Sequence, residues 1–295
     1  MSNSIPGWKY YNHAAVPTTA PHVEPDLIPV KDGSIWRIEG KKPLLVRYTT
    51  NWDCGYDTGW WYVIKDTPFD ISALKTKRRY EITKAMRYFD VKEVANPTEY
   101  SEAFAYVQER AFSAYPLKYR PKFNKDTFTI SLNGWYEKIK DGSIKVFAAF
   151  YKETSELAGY SYIIVNEKCF DFAVQKTNPD FEKYNVNAAL VNGVLETVKD
   201  KLSEDYYICD GTRSVNHETH FQDYLEKYFG FRKAYCKLNL VYLPLCKIIV
   251  AFLYPFRYFV DLLGSRIGLF HQISAILKME EIVRNCKKRY ELFNG

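Results

Sequence analysis

IKVFAAFYKETSELAGYSYIIVNEKCFDFAVQ, residues 144–175, holds three apolar runs separated by two short polar breaks. Residues 144–152 and 157–165 flank Glu153-Thr154-Ser155-Glu156, and Asn166-Glu167 leads into 168–175. Runs of this length, rich in β-branched and aromatic side chains and joined by tight breaks, predict an antiparallel meander. The period then changes. Val186, Leu190, Val194, Val198 and Leu202 stand four apart with Val191 and Leu195 beside them, which is one face of a helix. Residues 206–210 read as a short strand. Thr219-His220-Phe221-Gln222 fits a capping box, and Phe221, Leu225 and Phe229 continue a helix that Gly230 stops. In 234–242, Ala234, Cys236, Leu238 and Leu240 alternate with Tyr235, Lys237 and Asn239, predicting one closing strand. The order over 144–242 is β-β-β-α-β-α-β.

Upstream, Phe128, Leu132, Trp135 and Ile139 predict a helix ending at Asp141-Gly142. Tyr100, Phe104, Val107 and Ala111 predict another, opened by Asn96-Pro97. Ile71, Leu74, Ile82, Ala85, Met86 and Phe89 share one face of an earlier helix whose remainder is basic. Residues 60–64 read as a strand, and 35–38 with 44–48 as a hairpin about Gly40-Lys41-Lys42-Pro43. The first thirty residues carry Pro6, Pro17, Pro21, Pro25 and Pro29 and read as a loop-like segment wrapping a surface. No internal repeat appears.

The chain has 295 residues, 47% of them hydrophobic, with six Trp, 25 Tyr and 19 Phe, enough for a large core and apolar-walled clefts. Forty-one basic against 35 acidic residues leave +6. That excess suits anionic ligands without demanding nucleic acid. Six cysteines stand far apart with no C-x-x-C pair, so buried free thiols in a reducing compartment are expected rather than a disulfide framework. No basic segment followed by an apolar one opens the chain, which reads as cytoplasmic.

The strand and helix order resembles the core of the GNAT acyltransferase superfamily, with its two usual helices at about 96–140. FQDYLEKYFGFR, residues 221–232, resembles that superfamily's Y-x-K-x-G-F helix-to-strand junction. LKTKRRYEITKA, residues 74–85, is similar to the R-x-x-I-x-K-A helix of its FemAB-like branch. The fold implied is α/β: a mixed, mostly antiparallel GNAT-like sheet flanked by helices, with an N-terminal β-hairpin subdomain and a C-terminal helical extension. The expected divisions are an extended Pro-rich segment at 1–30, a subdomain at 31–95 (a reduced FemAB-like half), the GNAT-like core at 96–245 and amphipathic helices at 246–295.

The resemblance implies that the fourth and fifth core strands splay and admit the pantetheine of acetyl-CoA or another acyl-CoA, the pyrophosphate lying on the following helix N-terminus. There, helix amides and the helix dipole suit an anion. Carried onto this sequence, the binding residues are Gln175, Lys176, Thr177, Lys183, Asn185, Asn187 and Ala188. The superfamily's Q/R-x-x-G-x-G/A loop is absent: Glu182-Lys183-Tyr184-Asn185-Val186-Asn187-Ala188 stands in its place. Asn185 tolerates the left-handed conformation and can stand for one glycine, whereas Val186 and Asn187 fill space that glycine leaves open.

Acyl transfer to an amine needs a base, oxyanion donors and an acid for the leaving thiolate. Asp210, Arg213 and His217 directly follow the fifth strand. His217 titrates near working pH and is the first choice for base, with Asp210 beside it. Tyr235 is the expected acid and Tyr228 its rival. Asp210-Gly211 equally fits a plain turn, His217 a residue before a cap, and either tyrosine ordinary packing. His217 and His220, three apart, do not make H-E-x-x-H, and no metal site is expected. The acceptor implied is a small molecule, an amino sugar or a peptide precursor of the cell surface. FemAB-like enzymes use aminoacyl-tRNA, which would need the basic helix at 75–87. A non-catalytic GNAT-like binding or membrane-associated scaffold is the third reading.

Residues 248–256 form an uncharged apolar run, and apolar residues continue to Leu277, interrupted by Lys247, Arg257, Asp261 and Arg266. Nine residues cannot span a bilayer. Residues 246–278 fit helices packed on the sheet or on a dimer partner, or an interfacial pair on the inner face of a membrane.

Overall fold

A computed structural model describes residues 4–117, 120–203, 205–215, 220–264 and 268–294. The chain divides into two compact units, one built from 1–63, 212–221 and 233–295, the other from 64–211 and 222–232.

In the first unit, β1 (Trp8–Tyr11) and β2 (Ala14–Pro17) form a hairpin, followed by the short helix α1 (Ile28–Lys31) and then β3 (Leu45–Thr50). The turn residues Asn12 and His13 have φ of 45° and 63°, the positive pair that a two-residue hairpin needs. The opening segment is therefore not a loop. Its prolines stand outside the strands or, as Pro17, at a strand end, while Trp8 and Ala15 are buried against Ile35, Ile38 and Val46. Nor do 35–48 make a hairpin. Ser34–Trp36 is a 3-10 turn, Ile38 bridges Lys41, and β3 instead pairs with distant partners, β2 in parallel and β11 (Lys237–Tyr242) in antiparallel. Local turn residues suggested a partner close in sequence; burial of both Ile35 and Ile38 decided otherwise. The helices α7 (Pro244–Leu253), α8 (Arg257–Gly264) and α9 (Gly268–Asn294) complete this unit, α7 closing at a 3-10 turn around Pro255.

The second unit is a helix-covered sheet. Along the chain run β4 (Trp61–Lys65), α2 (Thr76–Tyr88), β5 (Phe89–Glu93), α3 (Ser101–Ser113), α4 (Lys125–Lys140) and β6 (Ile144–Tyr151). Next come β7 (Leu157–Val165), β8 (Cys169–Thr177), α5 (Val186–Val198), β9 (Tyr207–Thr212), α6 (His220–Phe229) and β10 (Arg232–Tyr235). The sheet order is β10-β4-β9-β8-β7-β6-β5, and β4, β9 and β10 are the strands in which the chain passes between units. The predicted meander is β6-β7-β8, antiparallel throughout.

Two expectations fail at element ends. Phe89 begins β5 rather than continuing the helix, and Ile71–Ala73 is a separate 3-10 turn. Phe89 is fully buried beside Tyr151, so helical spacing and strand burial coincided at one residue. The single closing strand is two, β10 and β11, in different sheets. Its alternation of buried Ala234, Cys236 and Leu238 survives the break and so concealed it.

Both faces of the meander are covered. Val146, Ala148 and Tyr160 pack with Phe104 and Val107 of α3 and Leu132 of α4. The alternate residues Phe147 and Ala149 are equally buried, on the face that α5 covers. The approach of α5 to β5 is close: a Cβ on Gly193 would lie 2.4 Å from Val91 Cγ1. Gly193→Ala should therefore lower stability by about 1–3 kcal/mol through overpacking, measured by urea denaturation, and Val91→Ala in the same chain should recover part of it.

Candidate functional site

The β8–β9 ladder is parallel and short. Cys169 pairs with Tyr207, Phe170 with Ile208 and Asp171 with Cys209, and there the pairing ends although β8 runs on to Thr177 against β7. Two residues past the last pair β8 bulges: Tyr162 faces Val174 and Ile163 faces Phe172, leaving Ala173 as the extra residue. A bulge bends its strand and sharpens the local twist, which is why β8 leaves β9 at this point. Ala173 is exposed at the opening.

Asp210 follows the last paired residue of β9. Burial, with the neighbouring charge of Asp171, pushes its carboxyl up to about 8, against a hydrogen bond from Gln222. Gln222 Nε2 also donates to the Asp210 carbonyl at 3.2 Å. Two carboxylates at the mouth of a splayed strand pair suit proton transfer near neutral pH. Asp171 is the functional candidate that the sequence hid. In Cys169-Phe170-Asp171-Phe172 it looks like the outward residue of an alternating strand, and only its register opposite Cys209 brings it to the opening. The adjacent thiols are poor nucleophiles, because burial raises Cys209 and lifts Cys169 to about 12. All six cysteines are free.

At the far end of β8 the seven binding candidates gather around the start of α5. Asn178 caps a 3-10 turn, Pro179–Tyr184, by accepting from the Asp180 amide. Asn185 then takes the left-handed conformation, φ 63° and ψ 43°, and its carbonyl receives the amides of Ala188 and Ala189. No side chain caps α5. Gln175 Nε2 donates to Asn187 Oδ1 at 2.9 Å and Gln175 Oε1 accepts from the buried Ser161 hydroxyl at 2.9 Å. These two candidates hold β8 to the first turn of α5. Lys176 Nζ stands 3.4 Å from the Tyr115 hydroxyl, and Lys183 Nζ 5.0 Å above the Tyr184 ring. Thr177 and the Lys176 carbonyl press on Gly159, where a Cβ would meet them at 2.8 and 2.9 Å. Ala188 is buried in the first turn. Arg110, unnoticed in the sequence, donates from Nη2 to both carboxylate oxygens of Asp180 at 2.8 and 3.0 Å and so offsets one acid of the turn.

The other catalytic candidates stand elsewhere. Tyr235 belongs to the first unit, its ring 6.0 Å from that of Trp61 and its carbonyl accepting from the Cys54 amide. Arg213, also in the first unit, donates to the Gly59 carbonyl at 2.7 Å and lies over Trp61. Tyr228 carries the Arg78 guanidinium 3.7 Å above its ring. His217 and the capping Thr219 lie outside the described residues.

A strand, two helices, an antiparallel meander, a helix and a strand splayed from the meander's last strand form one recognisable succession. β5 supplies the first core strand, so that β8 is the fourth and β9 the fifth. Among solved structures, the chain is similar to FemX at TM-score 0.52 and 10% identity, over 76% of this chain and 78% of that one. It is similar to L-PGS from Bacillus licheniformis at TM-score 0.50 and 14% identity, over 95% and 86%. The fold is GNAT-like. No family model and no curated protein matches the sequence. In the GNAT-like frame the opening between β8 and β9 and the uncapped start of α5 both lie toward the carboxyl end of β8.

The first unit ends in a different kind of surface. Val250, Val260 and Leu277 form the buried seam of α7, α8 and α9, clamped by Arg257–Glu281 at 2.9 Å and Lys278–Asp261 at 2.7 Å. Leu245, Ile248, Ile249, Phe252, Phe256, Phe259 and Leu262 are left exposed. Their spacing is that of one continuous helical stripe. Among the described residues no helix is long and apolar enough to cross a membrane.

Proposed function

We propose that this chain is an N-acyltransferase that takes an acyl group from acyl-CoA and gives it to the amine of a small molecule, amino sugar or peptide precursor. The observation that carries the reading is the three-pair β8–β9 ladder ending at a bulge, with Asp210 at its mouth. The residues fit a phosphorylated thioester: an uncapped α5 N-terminus beside Lys176 and Lys183, and a slot whose strands do not pair. Acyl-CoA supplies the activated carbonyl. Asp210 removes a proton from the attacking ammonium, and the amine nitrogen bonds the carbonyl carbon as the C–S bond breaks. Main-chain N–H groups at the Ala173 bulge are the oxyanion donors in this reading. The thiolate leaves as the thiol, taking the second proton that the nitrogen loses on becoming an amide.

Calorimetric titration with acetyl-CoA and free CoA tests the donor. Micromolar binding is expected, and Lys176→Glu with Asn185→Asp should weaken it by about tenfold or more, since each places a negative charge among the phosphate donors. No heat with either ligand would sink the acyl-CoA reading. Salt-sensitive binding of tRNA would then favour aminoacyl transfer through the basic α2.

We further propose that the exposed stripe of α7 and α8 lies on a lipid surface at the inner face of the membrane. Aliphatic and aromatic side chains in one stripe, on a chain of net charge +6, suit the headgroup boundary of an anionic bilayer.

A further inference from the structure

We propose that a cavity in the first unit binds a small organic anion, a carboxylate or phosphoryl group carried on a planar or apolar body. The cavity, about 240 Å³, opens among β1, β2, β3, the segment 19–25 and the residues around the start of β4. The proposal is independent of the acyl-transfer reading, whose residues lie in other segments.

A guanidinium without a counter-ion carries it. Arg47 on β3 is half-buried in the lining, and no carboxylate among the described residues bonds it. Its neighbours are soft: the Met279 sulfur at 3.8 Å from Nη1 and the Trp60 ring at 5.9 Å. Arginine stays charged in a protein, so a guanidinium withdrawn from water without a counter-ion is a costly feature that needs a reason. Burial lowers its pKa, and the nearby Tyr62 and Tyr11 act in the opposite direction. Trp60 also lines the cavity. Only 1% exposed, it has an indole Nε1 that is buried with no acceptor among the described residues. That nitrogen exposes almost no surface to the lumen, so the indole acts as a wall of the cavity rather than as a donor to its occupant.

The walls define the rest of the ligand. Tyr11, Tyr48 and Tyr62 present rings, and Lys9 adds a second positive charge at the exposed side. A carboxylate or phosphoryl oxygen beside Arg47 would supply the missing counter-ion, and a guanidinium fork matches either group. The aromatic lining suits a planar or apolar body attached to it.

The test uses the full chain labelled with ¹⁵N at tryptophan, the Trp60 indole signal being assigned by its loss in Trp60→Phe. Benzoate and phenyl phosphate are titrated, with neutral benzamide as control. Saturable movement of the Trp60 signal by the anions and not by benzamide is expected, and whichever anion binds tighter identifies the headgroup. Arg47→Met should weaken that anion by about tenfold or more, as loss of a charged hydrogen bond requires, while Arg47→Lys keeps part of the affinity. Lys176→Glu should leave it unchanged. A Trp60 signal unmoved by both anions in the wild-type protein, or moved equally by benzamide, overturns the proposal even if the Arg47 variants fail to fold.

Discussion

Asp210→Asn is expected to lower turnover by about two to four orders of magnitude, the range for loss of a positioned general base, while making the protein more stable at pH 8. The two effects share one cause. The folded carboxyl is pushed up to about 8 by burial and by Asp171, whereas in the unfolded chain it titrates near its ordinary value of 3.8. Between those values the folded state holds a proton that the unfolded state has lost. Native stability from this group is therefore fully present below about pH 4 and declines as pH rises through 8. Asparagine has no charge to bury, so the variant's denaturation midpoint should not fall over that window. Activity runs the other way, since the base works when deprotonated and kcat/KM should rise with pH toward 8. Denaturant melts at pH 5 and 8, paired with a pH-rate profile, check both. A variant that loses stability and activity together would make Asp210 a structural residue. Asp171→Asn should lower the Asp210 carboxyl and move the rising limb of the profile to more acid pH.

The second large effect concerns the stripe on α7 and α8. Ile248→Glu with Phe252→Glu should reduce sedimentation with phosphatidylglycerol vesicles by about a hundredfold or more, because each side chain contributes roughly 1.5–3 kcal/mol when its apolar surface leaves water. Both residues are more than 60% exposed, so the double variant should fold normally and melt close to wild type. Wild-type protein that ignores vesicles but elutes as a dimer, with the variant a monomer, would assign the stripe to a second copy instead.

Much of the sheet was legible because its signals are local. The meander reads from apolar runs and their breaks, α5 from residues four apart, and the end of α6 from Gly230, whose φ is 68°. What was illegible depends on partners distant in sequence. Nothing local tells Phe89 that it opens a strand, or Leu45 that its neighbours are Ala14 and Tyr242. The break between β10 and β11 falls inside an unbroken alternation. The site follows the same division. Asp210 could be singled out as a carboxylate after a strand, and the left-handed Asn185 as a substitute for glycine. Asp171 needed the register of β9, and the tie between Gln175 and Asn187 needed the turn that carries β8 into α5.

The pairing of β3 with β11 carries a consequence for how the chain is made. Asn239 donates to Thr50 across 189 residues, and the intervening sequence includes all of the other unit. A ribosome adding about 5–20 residues per second needs on the order of ten to forty seconds to travel from one strand to the other. Throughout that interval β3 has β2 on one side and an open edge on the other, while the meander can already close. An unpaired strand edge is an invitation to the wrong partner. The nascent first unit thus keeps one strand edge open until its end is made, and a nonsense codon anywhere before residue 237 leaves the edge at Leu45 permanently bare.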